Sequence, residues 1–340
     1  MKKLGFFGKL IFWCNVLVAF LLIVSFILPY LPPKTFSSIS LLSLIVSPLI
    51  LLNLLFAVYW GIRLRKQALL SLIVLAVAYF HFNPFYEFSS EGNPDDYSNT
   101  LKVLTYNVRL FNAYENKPTE DVLASFSKLL ETERPDVICI QEYYKKSNLS
   151  LASYPYQYLH FRNEKANLGH AILSKYPLIN TGAFDFKNSN NNTLYADIVK
   201  GNDTLRVYNI HLQSLGIKPS VTYLQDGDKD HIRKKMTETF KQQQSQVEEI
   251  IAHKAAVKHP ILLCGDFNNT PFSYTYNKLQ KEVNDAFLER GSGLGTTFKF
   301  DGYPMRIDYI MTSTDLDVIT FKTIDESFSD HFPLSATIGW

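Results

Sequence analysis

Six stretches of the chain close an apolar, strand-like run on a residue too polar for it. Thr105 and Asn107 share one face of LKVLTYNV (101–108) by the two-residue period of a strand, and Glu142 ends DVICIQE (136–142). Asn209, His211 and Gln213 share a face of RVYNIHLQ (206–213), and Asp266 and Asn268 share one of ILLCGDFN (261–268). Arg306 and Asp308 do the same in RIDYI, while Asp330 and His331 stand in SDHFPL, just ahead of the last run. One polar strand end is ordinary. Six that converge would bury several carboxylates together, which is costly unless a cation neutralises them. Glu, Asp and Asn oxygens suit a hard cation such as Mg2+ or Mn2+, and two histidines add a proton shuttle and a donor to a developing anion. That inventory fits metal-assisted attack of water on a phosphoester.

Such ends need a scaffold that alternates strands with helices, and the chain from Leu101 onward reads that way. HAILSKYPL, TLYADIV and the closing PLSATIGW add strands to those above. DVICIQE is a continuous apolar run, as expected for a strand covered on both faces. Thr119–Glu133 is an amphipathic helix with Glu120 and Asp121 in its first turn and Pro135 beyond it, and a long polar helix covers Asp230–Val257. The fold class is α/β with a sizeable core. Cys14, Cys139 and Cys264 all sit in apolar or strand-like runs, which excludes a disulfide framework and a Cys-rich zinc site.

The 340 residues fit one domain of about 250 residues plus an appendage. The appendage is visible in the charge. Residues 1–83 hold no Asp or Glu and seven basic residues, Lys2, Lys3, Lys9, Lys34, Arg63, Arg65 and Lys66. The remaining 27 Lys and Arg meet all 32 acids, so the rest of the chain is net −5 although the whole is +2. Three apolar stretches, 10–31, 39–60 and 68–85, read as transmembrane helices, the third reaching spanning length only if Asn83 and its followers extend it. The first is too long for a signal-peptide core and lacks a small-x-small cleavage site. The expected domains are a transmembrane module over 1–83, a turn-rich acidic linker over 84–100 and a catalytic domain over 101–340. By the positive-inside rule the basic clusters around Lys3 and Arg65 are cytoplasmic. Three spans then place the catalytic domain on the periplasmic or outer side of a bacterial cell membrane; two would leave it in the cytoplasm.

The blocks TYNVR (105–109), IQE (140–142), NIHLQS (209–214), GDFNNTP (265–271), RIDYI (306–310) and SDHFPL (329–334) resemble the signature of the endonuclease/exonuclease/phosphatase superfamily. Pancreatic deoxyribonuclease, exonuclease III, neutral sphingomyelinases and inositol polyphosphate 5-phosphatases belong to it. The resemblance covers residues 101–340 and implies a four-layer α/β/β/α sandwich with its site between the loop ends of the two sheets. By position it implies Glu142 as the main metal ligand, helped by Asn107 and Asp330. His331 would be general base or transition-state partner, oriented by Asp308, and His211 would donate to a non-bridging phosphate oxygen. Asp266 and Asn268 would position the water or the leaving group, and one metal or two is left open. Two residues depart from the pattern: Asn269, where many relatives carry Asp, and His170 in GHAILSKYPL, expected as a surface or core residue.

The implied function is that of a membrane-anchored, Mg2+-dependent phosphoesterase cleaving phosphodiesters, with nucleic acid or phospholipid as substrate and the lipid bilayer as its partner. An inositol- or sugar-phosphate phosphomonoesterase and a non-catalytic membrane interaction protein are the alternatives. A net-negative domain lacks the basic surplus that a polyanionic duplex rewards. Lys229, Arg233, Lys234 and Lys235 still form a local basic cluster. The excursion 214–228 is placed to face substrate or membrane.

Overall fold

The computed structural model describes residues 4–82, 86–115, 120–147, 149–217, 220–301 and 303–340. Helices come first: α1 (Phe6–Ser25), α2 (Pro33–Ser40), α3 (Val46–Ile62) and α4 (Ala68–His81). The bundle of α1, α3 and α4 buries Asn15, Asn53 and Ser71 among apolar residues such as Ala19, Leu22, Leu49 and Val74, while its outer face is strongly apolar. Asn15 Nδ2 donates to Ser71 Oγ at 2.6 Å, and Trp60 Nε1 donates to Asn15 Oδ1 at 3.1 Å. Trp13, Leu17, Phe20, Leu55, Ile73 and Phe80 are all more than half exposed. So large an exposed apolar surface, over a core laced with a few interhelical polar contacts, is what an apolar solvent favours.

The stretches Phe6–Tyr30 and Pro33–Ile62 are long and apolar enough to cross a membrane, whereas α4 is a shorter apolar helix. The expected 39–60 span is divided: a 3-10 turn, Leu41–Ile45, precedes α3, because Pro48 is tolerated only in a helix's first turn. The expected 68–85 helix closes at His81, where Phe82 turns extended (φ −96°, ψ 154°) two residues ahead of Pro84; residues 83–85 lie outside the described residues.

From Thr100 the chain builds two six-stranded sheets. β1 (Thr100–Asn107), β2 (Val137–Tyr144), β3 (Tyr156–Phe161) and β4 (Leu168–Ser174) start the first. The second holds β5 (Leu178–Asp185), β6 (Asn192–Lys200), β7 (Asp203–His211), β8 (Ile261–Asp266), β9 (Val283–Asp285) and β10 (Asp308–Ser313). β11 (Asp317–Thr323) and β12 (Leu334–Gly339) return to the first. The orders are β11-β12-β1-β2-β4-β3 and β9-β10-β8-β7-β6-β5, with β1–β2 and β7–β8 parallel. Val103, Cys139, Val207, Cys264 and Ala336 fill the space between the sheets. On the outer face of the first sheet, Phe126 of α5 (Glu120–Glu133) packs on Tyr106, Ile138 and Leu173. On the outer face of the second, Val247 and Ile250 of α6 (Lys229–Lys254) and Leu279 of α7 (Tyr274–Gln280) pack on Tyr208, Leu263 and Tyr309. The result is the expected four-layer α/β/β/α sandwich. Thr119, at the expected start of α5, and Lys218 and Pro219, within the expected excursion, lie outside the described residues.

The helical hairpin between α1 and α3 is fastened to this sandwich. Lys34 Nζ pairs with Glu248 Oε2 at 2.5 Å, and the Lys34 amide donates to Gln244 Oε1 at 2.8 Å. Asn277 Nδ2 donates to Pro29 O at 3.0 Å and Thr270 Oγ1 to Ser43 O at 3.1 Å. Phe82 stacks edge-on against Phe272 at 5.0 Å. The 86–100 segment follows the domain too: Glu87–Phe88 pair with Ser292–Gly293, and Asn99 exchanges backbone hydrogen bonds with Trp340.

Candidate active site

Strand register sets the site. In the second sheet His211 lies opposite Asp266, and Asp266 opposite Asp308, so three polar ends stand in one row across β7, β8 and β10. Gly265 makes that row possible. At φ 133° it reaches a conformation closed to other residues, and a Cβ there would stand 2.0 Å from Ile210 O. In the first sheet Asn107 closes β1 beside Gln141 of β2. A bulge then interrupts β2 between Ile140 and Tyr143, and Glu142 takes a left-handed φ of 53°. A bulge re-aims the side chain it carries, and such strain is concentrated at functional sites. The two rows meet where Asn107 Nδ2 donates to Asp266 Oδ2 at 3.0 Å. Beneath them a buried network locks sheet to sheet: Gln141 Nε2 donates to Asn209 Oδ1 at 2.6 Å and to Thr105 Oγ1 at 3.0 Å.

His331 sits at the centre. Its Nδ1 lies 2.9 Å from Asp308 Oδ2 and its Nε2 3.7 Å from Asp266 Oδ2, and its ring lies 4.7 Å from that of Phe298. Burial alone would lower its pKa; the carboxylates of Asp308 and Asp266 override that and carry it up to about 10. Burial also drives the Asp266 carboxyl up to about 8, against the pull of His331 and despite hydrogen bonds from the Asn268 amide and Asn107. Asn268, at φ 50°, donates its amide to Asp266 Oδ1 at 2.8 Å and its side chain to Leu212 O at 3.0 Å. Across from Asp266, His211 Nε2 lies 3.7 Å from Asp266 Oδ2 and 3.9 Å from Glu142 Oε1. Burial, reinforced by the Asp330 carboxylate, raises the Glu142 pKa. Asp330 accepts from Ser329 Oγ at 3.2 Å and faces Arg109 Nε at 3.6 Å.

All eight expected site residues, Asn107, Glu142, His211, Asp266, Asn268, Asp308, Asp330 and His331, thus lie around one centre. Arg306 does not join them: it is buried on Asp285 at 2.5 Å and stacked over Phe287. Gln213 does not join them either: its backbone N–H donates to Gln246 Oε1 of α6 at 2.8 Å and its side-chain Nε2 to Ser214 O at 3.4 Å. In the basic cluster Arg233 pairs with Asp230 at 3.1 Å, and Lys235 Nζ donates to Gly216 O. His170, expected as a core or surface residue, is fully buried and its Nε2 lies 2.8 Å from His211 Nδ1. The strand period was the available signal, since it puts His170 on the same face of β4 as Ile172 of the inter-sheet core. Burial lowers the pKa of both rings, His170 to about 3.

Two groupings could hold a cation. Ligand atoms of Asp266, Asp308 and His331 lie within 4.8 Å of one another. His331 Nδ1 and Asp308 already satisfy each other, however, which leaves that trio short of donors. Glu142 and Asp330 offer carboxylate oxygens beside Asn107, whose Oδ1 accepts from the Arg109 amide, and burial raises the Glu142 pKa although His331 and Arg109 oppose it. A hard divalent cation fits that donor set.

The profile of the endonuclease/exonuclease/phosphatase family matches residues 104–331, and that of a domain of unknown function (DUF8431) matches residues 8–85. No curated protein matches the chain. Among solved structures, the chain is similar to the human nocturnin catalytic domain with bound sulfate, at 18% identity and TM-score 0.53 over 74% of this chain and 97% of that one. It is also similar to a mannosyl-6-phosphatase from Bacteroides thetaiotaomicron (15%, 0.52, 71% and 100%) and to beta toxin from Staphylococcus aureus (22%, 0.50, 69% and 99%). At these identities the structural likeness shows the fold alone.

Proposed function

The chain belongs to the endonuclease/exonuclease/phosphatase family of phosphoric ester hydrolases, and on that premise we propose that it is a membrane-anchored, Mg2+-dependent phosphodiesterase. We assign residues 1–83 to the membrane module, 84–100 to the connection and 101–340 to the catalytic domain, on the outer side of the membrane. The observation that carries the reading is the pairing across the sandwich of Asp266 and His331 with Glu142, Asn107 and Asp330. Enzymes of this family are generally dependent on divalent metals.

Glu142, with Asn107 and Asp330, would hold the ion, which when bound supplies Lewis-acid polarisation and charge neutralisation at the phosphoryl group. The chain's own residues do the rest. Asp266, whose carboxyl titrates near 8, is matched to take the proton of an attacking water at neutral to mildly alkaline pH. Asn268 and Asn107 hold its two oxygens in place. His331, kept protonated by Asp308, presents its Nε2–H to the phosphate and offsets the negative charge that grows there. His211 Nε2 adds a neutral donor on the other flank. Both pKa values are raised, which sets a carboxyl base near 8 beside an imidazole that stays protonated, the pairing expected of acid–base hydrolysis.

The test uses the full chain in detergent with bis(4-nitrophenyl) phosphate as a generic diester. Turnover should need added Mg2+ and stop with EDTA. Glu142→Ala should lower turnover by roughly 10²–10⁴ and raise the Mg2+ concentration giving half-maximal rate. Turnover indifferent to EDTA would overturn the reading.

A further inference from the structure

An apolar groove runs beside the reaction centre to the seam where the helical hairpin docks. Asn268 of the candidate site lines it together with Phe298, Phe300, Leu215, Ile217 and Leu44. Phe298 is the residue whose ring lies 4.7 Å from that of His331, so one wall of the groove touches the catalytic imidazole. Leu44 comes from the other end of the molecule. It belongs to the 3-10 turn Leu41–Ile45, which lies inside the second long apolar helical stretch, Pro33–Ile62. That turn is held against the catalytic domain by the Thr270–Ser43 hydrogen bond, two residues from Asn268. Its neighbours Ile39 and Ile45 are 43% and 40% exposed. Apolar surface therefore extends from the hairpin to within contact of His331.

A site built only for a water-soluble phosphoester gains nothing from a wall contributed by the membrane module. A phosphoester that resides in the bilayer does. Its head must reach Asp266 and His331 while its chain leaves the lipid, and the groove lets that chain exchange one apolar surface for another. Nucleic-acid bases could instead stack on Phe298 and Phe300. The charge argues against them: the chain after residue 83 is net −5, and Lys299, between those two rings in sequence, points its Nζ at Ser329 O at 2.7 Å.

We propose that the groove between Leu44, Phe298 and Phe300 binds the apolar chain of a membrane lipid whose phosphodiester is the substrate, so that the membrane hairpin forms part of the substrate site. This rests on the phosphodiesterase reading above. In use, the full chain is reconstituted in detergent micelles and given diesters with one head group and alkyl tails of increasing length, alongside bis(4-nitrophenyl) phosphate and single-stranded DNA. kcat/KM should climb with tail length, by up to roughly fourfold for each methylene that becomes buried. Leu44→Gln and Phe300→Ser should each flatten that climb and lower the ratio of long-tail to 4-nitrophenyl turnover by about tenfold or more, the loss expected for a few methylenes. A tail-length series that is flat in the unaltered protein overturns the groove, as does preferential cleavage of DNA. So does a ratio unmoved in both variants. Absence of Mg2+-dependent turnover on bis(4-nitrophenyl) phosphate is a different failure, because it removes the phosphodiesterase reading itself.

Discussion

Asp266 and His331 approach to 3.7 Å with both titrations raised, one carboxyl to near 8 and one imidazole to near 10. If Asp266 is the base, it works deprotonated, so the rate should fall tenfold per pH unit below its pKa and level off above it. If His331 is the donor, it works protonated, so the rate should fall again above about 10. Cation binding nearby favours the deprotonated carboxylate, so raising Mg2+ should move the acid limb to lower pH. Profiles of kcat/KM at two Mg2+ concentrations measure this. Asp266→Asn should cost roughly 10²–10⁴ in rate and abolish the acid limb; a limb left in place would assign it to another group. A second prediction concerns His170. His211 Nε2 faces two carboxylates, at 3.7 and 3.9 Å, so its proton belongs on Nε2 and its Nδ1 must accept. The donor is His170 Nε2, 2.8 Å away. His170 is thus a positioning residue. His170→Leu should lower kcat by about 10–100-fold with KM little changed, the scale of a misplaced catalytic group, and His170→Gln, which restores a donor, should recover most of it. Equal losses in both variants would reduce His170 to a packing residue.

The strands carry most of what could be read in advance, because a period of two fixes which face a side chain takes. Thr105, Asn107, His211, Asp266 and Asp308 are found on the faces that alternation gives them. What alternation cannot give is the partner across the sandwich. His170 and His211 belong to different sheets, and their contact exists only once β4 lies over β7. Arg306 is in phase with Asp308 yet leaves the site, since Asp285 of β9 offers a buried carboxylate nearer by. The bulge that re-aims Glu142 has no signature in IQE either. Helix α5 shows an element secured by charge: its last residue, buried Glu133, pairs with Lys102 of β1 at 3.0 Å and Lys322 of β11 at 2.7 Å. Burial pushes that carboxyl up, but the two lysines prevail and hold it below its ordinary 4.5. A depressed folded pKa means stability that is present above 4.5 and lost as pH falls through the folded value. Glu133→Gln should therefore cost about 1.5–3 kcal/mol at neutral pH, the range for hydrogen bonds to charged groups. The gap to the unaltered chain should close only as pH falls below 4.5 toward the folded value; chemical denaturation at neutral and at strongly acidic pH measures it, and a gap independent of pH would refute the linkage.

At the scale of the whole molecule, membrane topology reduces to parity. Asn53 Nδ2 reaches Val18 O at 3.4 Å while Trp60 reaches Asn15, so α3 runs antiparallel to α1. Ser71 meets Asn15 and His81 Nε2 meets Phe26 O at 2.7 Å, so α4 runs parallel to α1 and ends level with it. The hairpin that follows α1 touches the catalytic domain through Lys34, Ser43 and Pro29, which places hairpin and domain on one side of any bilayer the bundle spans. One crossing separates the N-terminus from the hairpin. The domain follows two further helices, so the proposed membrane anchoring requires both α3 and α4 to cross. A two-span arrangement would pull Lys34 from Glu248 and Ser43 from Thr270 across the membrane. The difficulty is length: 14 residues of α4 rise about 21 Å against a hydrocarbon core of about 30 Å. Extended Phe82 and local thinning of the bilayer can make up part of that difference, at fractions of a kcal/mol per Å. In the proposed topology the positive-inside rule makes Arg63, Arg65 and Lys66 the opposite, cytoplasmic end. Alkaline phosphatase, active only outside the cytoplasm, should be silent when fused after Lys66 and active when fused after Tyr30 or Phe88. Activity after Tyr30 with silence after Phe88 would mean that α4 does not cross and that the hairpin leaves the catalytic domain, taking the Leu44 wall of the groove with it.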